Sequence, residues 1–390
     1  MQNSWCLLIL WAPLLIAMAV SGCTGDEREQ PVEDGSPDFH FTEFDSILEA
    51  FLSENDLEGA TAIVVHRDHG VVHERAFGTF DIDRVSVLAS ASKIVTAGVL
   101  MRLADDGLLD LDAPLSTYVP WWWGERPMDI TVAQLLSNSS GMVGVRDDPM
   151  YAPYQCQFIP FGTPPLCAWV IYSANDSADI SPPDTEFRYG GGQWQLAGGI
   201  AEMVSGRSWA ELINETYVEP CGLDVLAYTN QFLAMFVRGG GIEGAASYPD
   251  FIDGDLANIP EASNPNMEGG CYSTVLDYGK ILLMHLRGGR CANGRALSLA
   301  AVERMQEDRI ADAYQGSTFE PSLPGYGLGW WIIRDEPGVV VNRGAYGAIS
   351  WLDLERGYGV MIILEADNTY SIPMMQGTKP VVDSIFDGAD

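Results

Sequence analysis

A serine and a lysine three residues apart, in the segment Ser90-Ala91-Ser92-Lys93, are the first candidates for chemistry. A serine hydroxyl is a weak nucleophile until a neighbouring base removes its proton. Residues three positions apart share one face of a helix, so the Lys93 amine reaches the Ser90 hydroxyl when both are buried. Lys93 is one of three lysines in the chain and lies in an apolar segment, which argues against a role in solubility. The pair therefore predicts a nucleophilic serine that a lysine activates.

Other ways of activating a serine find little support in the sequence. His285 is the only histidine after His73. The Gly-x-Ser-x-Gly segment that marks the nucleophile of α/β-hydrolases does not occur. A serine three residues before a lysine is common by chance, so the surrounding elements decide what the pair means.

The segment that carries the pair has the pattern of a buried helix. Between Ser90 and Asp106 the apolar residues recur at helical spacing, and Gly107 supplies a helix end. We expect the helix to begin at Ser90. Its N-terminal end would bring a partial positive charge and unpaired N–H groups close to the Ser90 hydroxyl, where they favour an oxyanion.

The remaining elements predict one large α/β domain over residues 39–390. Strand-like runs separated by turn residues occur near both chain ends, at 60–65, 71–77, 327–333, 339–341, 348–354 and 360–364. Helical patterns cover 41–52, 131–136, 193–204 and 373–386. We therefore predict a mainly antiparallel sheet built from both chain ends and flanked by helices. An inserted, mainly helical subdomain is expected at about 108–226.

Three histidines, His66, His69 and His73, cluster in the first predicted hairpin. A metal site is one interpretation of such a cluster. Alternation along a hairpin, however, sends these side chains to different faces or into the turn. We therefore expect surface histidines, with no metal and no other cofactor.

The first 38 residues predict export and attachment to a membrane. Cys6 to Val20 form an apolar run that is short for a transmembrane helix and typical of a signal peptide. The segment Val20-Ser21-Gly22-Cys23 resembles the bacterial lipobox, in which the cysteine receives a diacylglycerol. We expect residues 1–22 to be the signal peptide, Cys23 to carry the lipid and residues 23–38 to form a solvated tether. This would place the protein in the cell envelope, at the outer membrane facing the periplasm; with an ordinary cleaved signal it would be secreted.

The charge of the chain excludes one class of partner. The formal net charge is −33, from 54 acidic and 21 basic residues. Such a surface repels phosphate backbones and anionic lipid headgroups, so nucleic acid is not expected as a partner.

Five cysteines follow Cys23. An oxidising compartment allows them to pair. We expect two local bridges, Cys156–Cys167 and Cys271–Cys291, with Cys221 as a buried free thiol. The sequence alone leaves this connectivity open.

Tryptophans supply several large apolar side chains. Trp121-Trp122-Trp123 lies in the predicted subdomain, and Trp330 and Trp331 lie near the C-terminal strands. Core packing is the default interpretation of such residues. Trp330 and Trp331 are also candidates to line an apolar acyl or leaving-group pocket.

Three blocks of sequence together indicate a known family. Residues 88–93 run into 103–114, then into 130–136 and 139–142. The segment Phe187-Arg188-Tyr189-Gly190-Gly191 follows, with residues 269–274 further on. The last block is 325–331, followed by 342–347. In this order the blocks resemble the class C β-lactamase and serine-type penicillin-binding family, which also includes esterases and amide hydrolases.

The resemblance implies a β-lactamase-like fold and a set of catalytic roles. Ser90 would be the acylated nucleophile and Lys93 its activating partner. Tyr189 would help to transfer protons. The backbone N–H groups of Ser90 and Ala345 would form the oxyanion hole.

Two positions depart from the family pattern, and both bear on the substrate. The family's Tyr-x-Asn has become Tyr189-Gly190-Gly191, so Gly191 lacks the amide that would bind a substrate amide. The family's Lys- or His-x-Gly has become Asn342-Arg343-Gly344, which removes a partner for Tyr189 and for a substrate carboxylate. Arg343 is a partial substitute. Gly191, Asn342, Arg343 and Gly344 are kept as substrate-binding positions.

The expected activity follows from these roles and departures. One missing charge-assisted hydrogen bond costs about 1.5–3 kcal/mol, which lowers a rate at least about tenfold. We therefore expect a serine hydrolase that cleaves a small-molecule or peptide-like ester or amide through an acyl-serine intermediate, with weak β-lactam hydrolysis. The alternatives are a D-alanyl-D-alanine carboxypeptidase or true β-lactamase, and a non-catalytic cell-envelope protein that uses the cleft for binding.

Overall fold

The computed structural model describes residues 39–119, 130–144, 156–174, 180–232, 248–249, 252–310 and 325–388. The predicted signal peptide, Cys23, the tether and Trp121-Trp122-Trp123 lie outside these residues. None of the helices within the described ranges has the length and apolar character needed to cross a bilayer.

Seven antiparallel strands form the main sheet in this part of the chain. They are β1 (Gly59–His66), β2 (Gly70–Gly78), β8 (Gly325–Tyr326), β9 (Trp331–Ile332), β10 (Val339–Arg343), β11 (Ile349–Asp353) and β12 (Tyr358–Ile363). Their order in the sheet is β2-β1-β12-β11-β10-β9-β8. Strand β1 pairs with β12 from Thr61 opposite Ile363 to His66 opposite Tyr358. The predicted sheet from both chain ends is therefore confirmed.

Two smaller sheets complete the strands seen in the described residues. The first contains β3 (Ser86–Val87), β4 (Leu226–Tyr228) and β5 (Cys271–Ser273), in the order β3-β5-β4. The second is a hairpin of β6 (Arg290–Cys291) and β7 (Gly294–Arg295). The first sheet adjoins the segment that carries Ser90.

The helices flank the main sheet. They are α1 (Thr42–Glu54), α2 (Lys93–Asp105), α3 (Val132–Leu136), α4 (Pro164–Ala174), α5 (Gly191–Ser205), α6 (Trp209–Ile213), α7 (Glu219–Cys221), α8 (Val275–Leu286), α9 (Leu299–Gln306) and α10 (Ser371–Asp387). A π-helical turn, Asn214–Val218, joins α6 to α7. Much of the predicted helical subdomain at about 108–226 is thus helical where it is described.

Both faces of strand β1 are covered, which explains its nearly unbroken apolar sequence. Ala62 and Val64 pack on the side of helices α1 and α10. Ile63 and Val65 pack on the opposite side, where α8 crosses β1 and β12. The core therefore consists of two apolar layers separated by the sheet.

Helix α2 lies in the larger of these layers and is buried on almost every side. Its described neighbours include α5 and α9. Residues from Lys93 to Met101 are all buried, as expected for a helix that is apolar all round. The helix holds Lys93 at its first turn, inside the protein.

The predicted helix start needs a correction. Ser90 lies in a 3₁₀ turn, Ala89–Ser92, and the α-helix begins at Lys93. The cause is Ala89, whose φ of 45° is left-handed and cannot belong to an α-helix.

The predicted disulfide pairing is half wrong. Cys156–Cys167 is present, but Cys221 pairs with Cys291, and Cys271 is the buried free thiol. Cys271 lies in β5 in the protein core, whereas helix α7, which ends at Cys221, packs against the β6–β7 hairpin that contains Cys291. Packing of α7 on the hairpin therefore selects the partner.

The three histidines of the first hairpin separate in part, since His69 lies in the turn as expected. The rings of His66 and His69 stack with their centroids 4.8 Å apart. His73 Nε2 lies 2.7 Å from Asp45 Oδ1 on helix α1. Within the described residues, no group of three His, Cys, Asp or Glu side chains has the arrangement of a metal site.

Candidate active site

The turn that carries Ser90 is held by bonds to the small sheet. The Leu88 N–H donates to the Cys271 carbonyl at 2.9 Å, and the Cys271 N–H donates to Ser92 Oγ at 2.9 Å. Ser92 Oγ in turn donates to the Ala89 carbonyl at 2.6 Å. These bonds hold Ala89 in its left-handed conformation, which costs about 1 kcal/mol in a residue other than glycine. Ser90 is left half-buried at the edge of a cavity.

Lys93 lies directly beneath the serine. Its Nζ is 2.9 Å from Ser90 Oγ, 3.1 Å from the Glu268 carbonyl and 3.5 Å from Glu268 Oε2. The side chain is 1% exposed, so water does not compete for the amine. The structure thus brings the predicted Ser90–Lys93 pair together in a geometry that suits proton transfer.

Tyr189 is the second predicted catalytic residue, and the structure places it beside the same lysine. Lys93 Nζ lies 4.7 Å from the centroid of the Tyr189 ring, a cation–π distance. The ring stacks on Trp331, with centroids 5.6 Å apart. Its face therefore covers Lys93, while Trp331 fixes its orientation.

The predicted oxyanion hole lies where strand β10 ends. Ser90, Gly344 and Ala345 line the same cavity. In the described part of the chain, the Ala345 N–H donates to no backbone or side-chain acceptor, so it is available to a ligand. A Cβ on Gly344 would lie 2.0 Å from the Leu88 carbonyl oxygen, which shows how closely β10 approaches the Ser90 turn.

Two neighbouring residues of the segment Asn342-Arg343-Gly344 have different surroundings. Asn342 is 2% exposed and its amide donates to the Ala91 carbonyl at 3.3 Å. It does not line the cavity, so the structure does not support its predicted contact with substrate. Arg343 does line the cavity. Successive strand residues point to opposite faces, which explains the difference.

Arg343 is the positively charged residue among the described residues that line the cavity. Burial lowers the pKa of its guanidinium, and the nearby Tyr189 hydroxyl opposes that shift. The sequence predicted that Arg343 would partly replace the lost partner of Tyr189. The proximity of the two side chains agrees with that prediction.

Gly191, the first residue of helix α5, reveals a residue that the sequence motifs did not indicate. A Cβ on Gly191 would lie 1.8 Å from Glu268 Oε1 and 2.1 Å from Glu268 Cδ. The Glu268 carboxylate therefore fills the space in which a motif side chain at position 191 would lie. The sequence points to this residue only through its position directly before the family-like block 269–274.

Aromatic side chains form much of the remaining wall of the cavity. It has a volume of about 290 Å³, and Phe232, Trp331 and Tyr346 are among its lining residues. Trp331 thus lines the same cavity as Ser90, as the prediction of a pocket residue requires. Trp330 does not line this cavity; it is buried in the core with its ring 5.3 Å from that of His285.

Comparisons with known proteins show the family of the chain. A family model described as beta-lactamase matches residues 44–371. Penicillin-binding protein 4 of Amycolatopsis lactamdurans is 25% identical over 332 residues, which cover 81% of this chain and 82% of the relative. Lovastatin esterase of Penicillium rubens is 25% identical over 357 residues, which cover 81% of this chain and 84% of the relative.

A solved structure supports the same fold. A putative beta-lactamase from Bacteroides dorei aligns with a TM-score of 0.67 and 24% identity, over 90% of this chain and 99% of that one. The β-lactamase-like architecture expected from the sequence is therefore confirmed.

Proposed function

The chain belongs to the beta-lactamase family and is a serine hydrolase, and on that basis we propose that it cleaves a carboxylic ester through an acyl-Ser90 intermediate. The observation that carries the proposal is the distance of 2.9 Å between Lys93 Nζ and Ser90 Oγ, inside a water-poor site. Lovastatin esterase is among the relatives.

The acylation step uses the groups around Ser90. Ser90 Oγ bonds to the carbonyl carbon of the ester, and its proton passes to Lys93 Nζ. The N–H groups of Ser90 and Ala345 bind the oxyanion. The ester C–O bond then breaks, and the leaving alkoxide takes the proton by way of Lys93 and Tyr189. Water subsequently attacks the acyl carbon, which releases the acid and restores the Ser90 hydroxyl.

The preference for an ester over a β-lactam rests on two residues. Gly191 has no amide side chain to bind the acylamino group of a β-lactam. Asn342 donates its amide to Ala91, so no side chain at that position reaches a substrate carboxylate. The aromatic wall containing Trp331 and Phe232 suits an apolar acyl or alcohol group instead.

A fluorophosphonate probe tests the proposal, because it phosphonylates an activated serine. We expect one label, on the peptide that contains Ser90, and hydrolysis of 4-nitrophenyl butyrate much faster than of a chromogenic cephalosporin. Lys93→Met should lower kcat about 10²- to 10⁴-fold through loss of proton transfer. Lys280→Met is the matched control, since Lys280 pairs with Asp277 outside the site and should keep the wild-type rate.

Two results would reject or redirect the proposal. A folded protein that neither reacts with the probe at Ser90 nor cleaves esters would be a binding protein. Rapid turnover of the cephalosporin, or a stable adduct with a fluorescent penicillin, would favour the β-lactamase or peptidase alternative.

We further infer that the protein is anchored in the cell envelope by a lipid on Cys23. The support is the sequence Val20-Ser21-Gly22-Cys23 after an apolar run. Mass spectrometry of the N-terminal peptide should find a diacylglycerol adduct on Cys23. The Cys23→Ser variant should leave the membrane fraction, and an unmodified, unprocessed N-terminus in the wild type would reject the anchor.

A further inference from the structure

The backbone of Glu268 is fixed against the catalytic lysine. Its carbonyl oxygen lies 3.1 Å from Lys93 Nζ. Its N–H donates to Asn266 Oδ1 at 3.0 Å, and the Gly269 N–H donates to the same atom at 2.9 Å. The turn is therefore held in place, and the Glu268 side chain begins from a fixed point in the wall of the cavity.

The two carboxylate oxygens of Glu268 have different surroundings. Oε2 faces Lys93 Nζ at 3.5 Å, which is longer than a good charge-assisted hydrogen bond. Oε1 lies over Gly191, only 1.8 Å from where a Cβ would be. Among the described residues, Oε1 receives no hydrogen bond, although the side chain is only 12% exposed.

The Glu268 carboxylate offers hydrogen-bond acceptors where an amide at position 191 would offer a donor. An amide side chain at position 191 could donate an N–H to a substrate carbonyl. An ionised carboxylate only accepts hydrogen bonds, so it attracts an N–H or ammonium group and repels a carbonyl oxygen. Glu268 lines the cavity, so a substrate donor that enters it can reach this carboxylate.

The other charges agree with this direction. Besides Glu268, the charged side chain among the described lining residues is Arg343, on the wall formed by β10. Lys93 Nζ occupies the side of Oε2, at 3.5 Å. A cationic group is therefore directed away from β10 and from Lys93, toward Oε1 beside Gly191. The net charge of −33 also raises the local concentration of cationic substrates.

We propose that Glu268 forms a subsite for a free amino group next to the scissile carbonyl, so that aminoacyl esters are better substrates than N-acylated ones. This rests on the proposed acyl-Ser90 chemistry. Glu268 would contact the substrate through Oε1 and hold Lys93 through Oε2 and its carbonyl oxygen.

Three methyl esters of similar size test the subsite: alanine methyl ester, N-acetylalanine methyl ester and methyl propionate. The assay follows methanol release at about pH 6.5, where an α-amino group with an ordinary pKa of about 7.7 is protonated. For the wild type, we expect kcat/KM for the free amine to exceed that for the N-acetyl ester at least about tenfold. Glu268→Gln should lower the free-amine value about ten- to a hundredfold more than the methyl propionate value, because only the free amine loses a charge-assisted contact while any effect through Lys93 is shared by both esters.

A second variant is designed to reverse the substrate preference of the subsite. Glu268→Ala combined with Gly191→Asn removes the carboxylate and supplies an amide in the same space, so the preference should shift to the N-acetyl ester. Gly191→Asn alone clashes with Glu268 and should impair all three substrates. Glu261→Gln, at an exposed acid, controls for the change in net charge and should keep the wild-type preference.

The outcomes separate the subsite from the underlying chemistry. Equal wild-type values for the amine and N-acetyl esters, with Ser90 still labelled by the probe, would overturn the subsite and leave the hydrolase intact. An equal fall for all three esters in Glu268→Gln would mean that Glu268 only positions Lys93. The wild-type comparison decides the matter even if the variants fail to fold. Absence of both ester cleavage and Ser90 labelling would instead overturn the proposed function.

Discussion

Replacement of Gly344 by alanine tests whether the approach of β10 to the Ser90 turn sets the oxyanion hole. The new Cβ would lie 2.0 Å from the Leu88 carbonyl oxygen and 3.3 Å from Ala89 Cβ. Carbon–oxygen contacts below 3.0 Å do not persist, so the two backbones must separate by about 1 Å. An oxyanion donor at 2.7–3.1 Å would then lie at about 4 Å, beyond a hydrogen bond.

The expected fall in kcat is large because the lost hydrogen bond stabilises the transition state. Loss of one oxyanion-hole donor lowers kcat about 10²- to 10³-fold, and a displacement of 1 Å has a similar effect. We expect this fall in kcat for 4-nitrophenyl butyrate, with a much smaller change in KM. The measurement is steady-state kinetics, accompanied by circular dichroism to confirm the fold.

A matched control is available in the β6–β7 hairpin. A Cβ on Gly294 would have no neighbour within 4 Å, so Gly294→Ala should keep wild-type kinetics. If Gly344→Ala were folded and retained kcat within about threefold, the close approach of β10 would not position the oxyanion hole.

Two further predictions concern stability. Burial lowers the pKa of His285 to about 3 from 6.5, so this group stabilises the fold fully above pH 6.5 and progressively less as the pH falls toward 3. Below pH 6.5 the free energy of unfolding of the wild type should fall about 1.4 kcal/mol per pH unit more steeply than that of His285→Met. Urea unfolding at several pH values measures both proteins. Parallel pH profiles of their unfolding free energies would contradict this. Cys221 and Cys291 close a loop with a sequence separation of 70, so replacing both by alanine should cost about 4 kcal/mol. Peptide mapping without reductant should show Cys221 linked to Cys291 and Cys271 alkylated only after unfolding; a Cys271–Cys291 peptide would disprove the pairing.

Local patterns predicted the parts of the site that depend on neighbouring residues in the chain. Ser90 and Lys93 are three residues apart, so any helical turn brings them together. The strands at both chain ends were visible because β1 and β12 are strongly apolar. These features required no knowledge of distant contacts.

The features that the sequence did not predict depend on contacts between distant segments. Glu268 enters the site because its turn packs on Lys93, 175 residues earlier. The sequence favoured a local bridge between Cys271 and Cys291, which bracket a predicted helix and a Gly-rich turn. Tertiary packing overrode that preference by placing Cys221 against the β6–β7 hairpin. Ala89 also gave no signal, because an alanine rarely adopts a left-handed conformation.

The assembly of one sheet from both chain ends has a consequence for the order of folding. Ser90 and Lys93 are synthesised early, but the strand that completes their pocket comes late: the Asn342–Ala91 contact joins residues 251 positions apart. Pairing between such distant segments is slow, because a long loop must close before the contacts form. A growing chain therefore contains Ser90 before it contains Ala345, the residue proposed to supply the second oxyanion donor. We therefore expect hydrolytic activity only after strands β10 to β12 have joined the first hairpin.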